Sequence, residues 1–379
     1  MPCALAQATL LHSSLNAKGI MSSESSEKLS GNLPAASATY VYVSNAESND
    51  IYVLRMDSQT GELRLLETVM IPGIVKSGMS VPLAVSPDKR FLFAATRGEP
   101  QSVVTFAIDQ QSGKLKHRGS GPLSDSMPYI ATDRTGRFLF AASYPGHKLT
   151  ISPVNAQGIV QSQKYVWNDF TNAHAILPDA KNRYVLATTL GGDALNVFRF
   201  DAATGKIDPH DPPAVVMKPK TGPRHFIFHP KGRFVYVLGE LDATIHVFDW
   251  DARKGHLKEK QFISALLPGT AGRIAAADLH ITPDGKFLYS SERTSNTLAG
   301  FKVNSSDGTL SLIEFIATET QPRSFAIDSR GQYLFVVGQR SHQLTSYRID
   351  SAAGKLSKLK QYPVGKNPSW LEIVDLPAK

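Results

Sequence analysis

One cysteine, Cys3, in 379 residues leaves no means of building an internal disulfide framework or a Cys-rich zinc site. No stretch approaches the roughly 18 consecutive apolar residues of a membrane helix. Residues 1–20 hold Lys18 as their only Lys, Arg, Asp or Glu and lack a basic start followed by an apolar stretch, a poor secretory signal. A cytoplasmic chain with no membrane partner is therefore expected. The G-x-S-x-G elbow, the phosphate-cradling P-loop and G-x-G-x-x-G are all missing, which argues against a covalent serine hydrolase and against nucleotide use. Basic residues exceed acidic ones, 41 to 33, for a formal charge of +8. They are scattered, as in Lys114, Lys116 and Arg118 or Lys254, Lys258 and Lys260, without a basic run or a nucleic-acid motif. The excess reads as solvation, with long-range attraction for small anions as its possible use and no nucleic-acid partner.

What the chain does have is a repeat. An apolar strand, a turn and a polar residue leading into an aromatic strand recur as Ser86-Pro87-Asp88-Lys89-Arg90-Phe91 and Asp133-Arg134-Thr135-Gly136-Arg137-Phe138. The phrase returns around Pro178-Asp179 before Tyr184, then as His229-Pro230-Lys231-Gly232-Arg233-Phe234, Thr282-Pro283-Asp284-Gly285-Lys286-Phe287 and Asp328-Ser329-Arg330-Gly331-Gln332-Tyr333. Pro, Asp and Gly supply the turns; β-branched and aromatic residues supply the strands. The aromatic markers Tyr40, Phe91, Phe138, Tyr184, Phe234, Phe287 and Tyr333 are spaced by 51, 47, 46, 50, 53 and 46 residues. A third strand follows in each repeat, as at Ser102 to Ile108 or Gln343 to Ile349, and a glycine opens a fourth at Gly61, Gly113, Gly308 and Gly354. Four short antiparallel strands in each of seven such repeats make an all-β, seven-bladed propeller.

The ends fit that architecture. The first repeat begins at its second strand, Thr39 to Ser44, and Asn367 to Val374 matches the inner-strand phrases Gly222-Pro223-Arg224-His225-Phe226 and Gln321-Pro322-Arg323-Ser324-Phe325. The C-terminus is thus expected to donate the inner strand of the first blade and remove the open edges. Residues 39–379 form the propeller in this reading. Residues 1–38, rich in Ser and Ala and without sustained periodicity, are expected to be a mobile, dispensable tail. Within it, Met21 offers a second start for a shorter chain. The segment from Asp208 to Lys220, with four prolines, is expected to be a long loop overhanging the channel mouth, and Lys76 to Met79 an added loop.

A repeat makes aligned positions comparable. In such rings the start of each inner strand and the turn after the second strand lie on one face. The inner-strand starts bear His174, Arg224, His225, Asp278 and Arg323, against the bland Leu83 and Tyr129. Six residues past each marker, the turn reads Ala46, Arg97, Tyr144, Leu190, Glu240, Arg293 and Gln339. Unlike charges therefore gather at one mouth, either as a site or as salt bridges between blades. His225, His229 and His280 are explained by packing between strands more readily than by a metal, because no third ligand stands out.

Several longer phrases resemble the propeller-type 6-phosphogluconolactonases of bacteria. They are Ala173-His174-Ala175 before Pro178-Asp179, Gly222-Pro223-Arg224-His225 with Phe228-His229-Pro230, Gly239-Glu240-Leu241 and Ala276 to Gly285. Arg293-Thr294, Glu319 to Arg323, and Gly338-Gln339 with Ser341-His342 complete the set, and the resemblance runs from about Thr39 to Val374. The wider family includes fungal enzymes that cyclise carboxy-muconate to a lactone. Their active-site group of one His, two Arg and one Glu falls on His174, Arg224, Glu240 and Arg293.

The resemblance implies lactone hydrolysis, with 6-phosphoglucono-1,5-lactone as the leading substrate and neither metal nor cofactor. His174 or Glu240 is then the base, and Arg224 and Arg293 hold an oxyanion, carboxylate or phosphate. Arg323, Asp278, His225, Gln339 and Arg97 are the candidate substrate-binding residues. Plain aldonolactone hydrolysis, muconate cycloisomerisation and a non-catalytic protein-binding platform are the alternatives. Aromatic and apolar residues, which a platform would favour at the mouth, are not what the sequence offers there. The catalytic four are expected at an open mouth, where replacement affects turnover and scarcely affects folding.

Overall fold

The computed structural model describes residues 37–377. The expected N-terminal tail lies outside them, save for Ser37 and Ala38, which begin the first strand. The described chain folds into seven sheets of four antiparallel strands, each sheet in simple sequence order except the first. There the C-terminal strand Pro368–Pro377 takes the inner place beside Ser37–Asn45, followed by Asp50–Met56 and Leu63–Met70. The inner strands of blades 2 to 7 are Leu83–Val85, Tyr129–Thr132, Ala173–Pro178, Pro223–Phe228, Ala276–Ile281 and Pro322–Ile327. Each packs against the inner strands of both neighbours, and the seventh meets the first, so the ring is closed.

The two sequence markers used to count repeats meet at the seams between blades. The glycine that opens the outer strand of one blade lies on the marker aromatic of the preceding blade. A methyl group added to Gly113 would come within 2.2 Å of the Tyr40 ring, and one added to Gly61 within 2.4 Å of the Tyr333 ring. The second contact joins blade 1 to blade 7. Both glycines also have φ near +70° (+67° and +73°), which a side chain would strain. Gly158, Gly205, Gly255, Gly308 and Gly354 repeat the contact on Phe91, Phe138, Tyr184, Phe234 and Phe287. Apolar clusters fill the spaces behind these seams, for example Tyr40, Tyr42, Leu92, Ala94, Val104 and Phe106 between blades 1 and 2.

The proline-rich segment after Asp208 is not a loop over the mouth. It belongs to Lys206–Val216, the outer strand of blade 4, with a register shift between Asn196 and Phe198 on its partner. An outer strand has one unpaired edge, where a residue without N–H forfeits no ladder bond, so prolines are tolerated. The Lys76 to Met79 segment does reach the mouth, tied to the next loop by a bridge between Lys76 and Glu99. Among the described residues no helix is long and apolar enough to cross a membrane.

Strand Pro368–Pro377 pairs along the whole of Ser37–Asn45 and buries Leu371, Val374 and Leu376. Deletion of residues 367–379 would expose this edge and those side chains. The expected outcome is aggregation or loss of the cooperative melt, checked by size-exclusion chromatography and calorimetry; a soluble, cooperatively melting truncation would refute the closure.

Candidate active site

The inner strands of blades 4, 5, 6, 7 and 1 share one irregularity, a register shift near the mouth. In blade 5, Pro223 pairs with Gly239 but His225 pairs with Leu238, so Arg224 is the extra residue. In blade 7 the extra residue is Arg323, and in blade 1 it is Ser369. His174 and Ala277 fall at the same place in blades 4 and 6. Such bulges interrupt the ladder and redirect a side chain. The N–H groups they release are satisfied locally: Ala175 N donates to Thr188 Oγ1 at 3.0 Å, and that hydroxyl donates to the Arg224 carbonyl of the next blade at 2.7 Å.

Two of the five bulge residues and the turns after the second strands enclose a cavity of about 700 Å³ at the channel mouth. His174 and Arg323 line it from inner strands; Arg97, Tyr144, Glu240, Arg293 and Gln339 line it from the turns. Five of the seven aligned turn positions therefore face one space, and the other two, Ala46 and Leu190, are buried. Sequence comparison between blades did not single out Glu47, Met79, Arg273, Gln321, Arg340 or His342, which also line it. Glu47 and Arg340 stand one residue beyond the turn series and Gln321 directly before its inner strand, so the same register reaches them, whereas Met79 and Arg273 come from loops of unequal length.

Glu240 is the centre of the charge arrangement. Its Oε2 lies 2.9 Å from Arg224 Nε and its Oε1 lies 3.1 Å from Arg293 Nη2. The Nε–H of Arg224 is not aligned on the oxygen, so that contact is an ion pair without a directed hydrogen bond. Arg293 is held by the carbonyls of Ala275 and Ala276, at 2.9 and 3.2 Å. Burial alone would push the Glu240 carboxyl up, but Arg224, Arg293 and Arg323 outweigh it and keep it below its usual range. Glu240 is therefore ionised, with each oxygen already facing a guanidinium.

His174 differs. Its ring is buried between Tyr144 and His225, with centroids 6.3 and 5.1 Å away, and its Nδ1 has no hydrogen-bond partner. Burial, then Arg224, His225, Arg323 and Arg97, hold its pKa well below the ordinary histidine value. The imidazole is neutral at pH 7.

His225 and Asp278, expected among the substrate contacts, lie one residue further along their strands than the bulge position. That single step puts them on a lower layer, lining a second cavity of about 300 Å³ with Tyr129, His280, Trp370 and Glu372. They hold Arg224 from beneath. Asp278 Oδ1 is 2.8 Å from His225 Nδ1, and His225 Nε2 is 3.1 Å from Arg224 Nη1, which also donates to the Ala277 carbonyl. Asp278 accepts further bonds from the N–H groups of Leu279 and Phe325, at 2.9 and 3.2 Å. His225 thus carries its proton on Nδ1 and accepts from Arg224. Tyr129, passed over in the sequence, packs edge-on against His225 and Trp370 at 5.2 and 5.4 Å. Arg224 itself is 1% exposed, not at an open mouth, because its bulge turns it inward onto this layer. Among the described residues no group of three or more His, Cys, Asp or Glu could hold a metal ion.

Burial first, then Arg224, pushes the His225 imidazole down to about 4 from 6.5. Between those values the unfolded chain binds a proton that the folded chain refuses, so this residue makes stability fall as pH drops from about 6.5 towards 4. His280, raised by Asp278 against the effect of its burial, has the opposite sign. Thermal melts of wild type and His225→Gln across that window isolate the term: the variant is expected to lose less stability on acidification. Parallel curves would contradict the assignment. At neutral pH, His225→Phe should cost about 1–3 kcal/mol by leaving Arg224 Nη1 and Asp278 under-satisfied.

Residues 35–373 match the model of the family described as lactonase, 7-bladed beta-propeller. A 6-phosphogluconolactonase of Pectobacterium carotovorum is 38% identical over 336 residues, 89% of this chain and 98% of that one. One from Yersinia pestis is 38% identical over 333 residues, covering 88% and 97%. Among solved structures, the periplasmic gluconolactonase of Pseudomonas aeruginosa superposes with a TM-score of 0.79 at 27% identity, covering 90% of this chain and 99% of that one. With the fold, its ring closure and the match over nearly all its described length in agreement, the chain belongs to the lactonase family of seven-bladed β-propellers.

Proposed function

We propose that this protein hydrolyses sugar-acid lactones, with 6-phosphoglucono-1,5-lactone as its substrate, and that His174, Glu240, Arg224 and Arg293 form the catalytic group. The observation that carries the reading is a neutral imidazole, unpartnered at Nδ1, that shares a cavity with a carboxylate locked between two guanidinium groups, Arg293 on the cavity wall and Arg224 buried behind it. Its relatives by name act on this lactone or on gluconolactone. The same reading puts the enzyme in the cytoplasm, where phosphorylated sugars are made and retained.

The division of labour follows from which groups are free. Both Glu240 oxygens face guanidinium groups, and a carboxyl with a lowered pKa is a weak base. His174 has nothing to release before it acts. Beyond burial, the charges that depress it include Arg224, Arg323 and Arg97, which an anionic substrate would neutralise. Substrate binding therefore raises the basicity of His174 when it is needed. His174 takes a proton from water as the oxygen attacks the lactone carbonyl carbon. Arg293, on the cavity wall, stabilises the negative charge on the carbonyl oxygen, and the buried Arg224 adds its charge from behind Glu240. The tetrahedral intermediate then expels the ring oxygen, which takes the proton back from His174, leaving a hydroxy acid that ionises to its carboxylate. Glu240 keeps the two guanidinium groups in place and is itself a positioning residue.

Purified protein should open 6-phosphogluconolactone above its spontaneous rate in a coupled dehydrogenase assay. Arg293→Ala and His174→Ala should each lower kcat/KM by about 10²-fold or more. Because Arg224 is buried, Arg224→Ala should lower the melting temperature as well, and Arg224→Lys is the better probe. Exposed Lys114→Ala is the control. Folded His174 and Arg293 variants with wild-type rates would remove the assignment. The acid limb of kcat/KM should lie below the ordinary histidine value, since His174 is held neutral there; a limb at or above 6.5 counts against His174 as the base.

A further inference from the structure

The charges around the cavity are not evenly matched. Arg224 and Arg293 share Glu240, whereas among the described residues Arg97 and Arg323 take part in no ion pair. Arg97 is fixed by two hydroxyls, Nε donating to Ser126 at 2.9 Å and Nη1 to Ser80 at 3.2 Å. Hydroxyls set its position without neutralising its charge. Its nearest carboxylate influence, Asp125, is engaged with Lys148 at 3.3 Å. Arg323 is less satisfied still: its Nε is shut away from water with no hydrogen-bond partner. Desolvation, then Arg224, Arg293 and Arg97, all disfavour its charged form. A guanidinium held like this is costly in the free protein, and an arriving anion relieves the cost.

The two groups belong to neighbouring parts of the ring. Arg323 is the bulge residue of blade 7, and Arg97 is in the turn of blade 2. Blade 1, between them, offers only small groups at its corresponding places. Ser369 is the bulge residue, with its hydroxyl accepting from Val81 N at 2.9 Å, and Ala46 occupies the turn; both are buried. Glu47 is the lining carboxylate on this side, and it is exposed, so water screens it. The cavity therefore has two poles. Blades 4 to 6 carry His174, Arg224, Glu240 and Arg293, and blades 7, 1 and 2 carry Arg323 and Arg97, with the exposed Arg340 beside them, over a recess.

We infer that Arg97 and Arg323 form a subsite for a phosphomonoester dianion, seated over blade 1 and separate from the group that opens the lactone. The inference rests on the lactonase reading and names which end of the substrate goes where. In a 6-phospho-aldonolactone the carbonyl carbon and the phosphate are at opposite ends of the sugar, as the two poles require. Two guanidinium groups match the charge of a phosphate dianion, and their N–H forks suit its oxygens. The subsite makes the enzyme selective for phosphorylated lactones over plain ones.

The test is the ratio of kcat/KM for 6-phosphoglucono-1,5-lactone to that for glucono-1,5-lactone, each corrected for spontaneous opening. Wild type should favour the phosphorylated substrate, and Arg323→Gln or Arg97→Gln should each cut the ratio by about tenfold or more, the double variant further. An unchanged ratio, with both substrates lost in step or neither affected, would overturn the subsite. Removing an unpaired cation should not destabilise Arg323→Gln, and a melt at or above the wild-type temperature confirms that folding is not the cause. Titration calorimetry with 6-phosphogluconate and gluconate separates the subsite from the activity. Wild type should bind the phosphorylated acid at least tenfold more tightly, with that margin lost in Arg323→Gln; equal affinities would overturn the subsite. Failure of wild type to open either lactone, with the margin in binding intact, would instead sink the catalytic reading alone.

Discussion

Everything about this molecule depends on seven blades closing into one ring, and that closure rests on a contact between a bare backbone and an aromatic face. The glycine at the start of each outer strand approaches the marker aromatic of the preceding blade so closely that a Cβ would overlap the ring. Where the marker is tyrosine, the hydroxyl adds a polar tie: Tyr333 donates to the Gln59 carbonyl at 2.5 Å and Tyr184 to the Arg253 carbonyl at 3.1 Å. The contact is the same at every seam, including the seam joining blade 7 to blade 1. Such uniformity fixes a constant angle between blades. A constant angle brings seven inner strands to one axis.

An axis with near-symmetry gives many equivalent positions and no chemistry. Function requires breaking the symmetry, and the bulges do this with little cost to the frame. Blades 4 to 7 and blade 1 each insert a residue near the mouth, while no such shift marks the short inner strands of blades 2 and 3. The extra residue makes two layers out of one strand start. His174, Arg224 and Arg323 fall on the upper layer and His225, Asp278 and Trp370 on the lower. Buried charge on the upper layer is possible because the lower layer is polar: Arg224 rests on His225, which rests on Asp278, which rests on backbone N–H groups.

That layering also explains how far the sequence could be read. The repeat length, the turn phrases and the missing first strand determine the blades, because spacing and turn chemistry survive without any knowledge of depth. The turn series was legible for the same reason; it sits at a fixed distance from an aromatic marker, and Arg97, Tyr144, Glu240, Arg293 and Gln339 do share the cavity. Depth was not legible. A bulge shifts register by one, and one residue in a strand separates a ligand-facing side chain from a supporting one. His225 and Asp278 were therefore grouped with Arg224 and Arg323 although they lie beneath them. The signal was present in the alignment, where Asp278 stands level with His225 and Ala277 with Arg224. Lys206–Val216 was misread because proline density was weighed without asking whether the strand had a free edge.

The electrostatics of the cavity follow from placing charge on a ring whose opposite sides cannot move apart. Six arginines, Arg97, Arg273, Arg293, Arg323 and Arg340 on the cavity wall and Arg224 behind it, share this space with the half-buried Glu240, and only Arg224 and Arg293 pair with it. Burial first, and the surplus after it, suppress protonation of His174 and burden Arg323, so the free protein holds a weakly basic imidazole and unsatisfied cations. An anion entering such a site does more than find partners. In the proposed mechanism it cancels part of the field that adds to burial in depressing His174, which strengthens the base that draws the proton from the attacking water and couples recognition of the charge to activation of water. On that proposal a plain lactone, which brings no such charge, meets the weaker base, and discrimination between the two acts in the catalytic step as well as in binding.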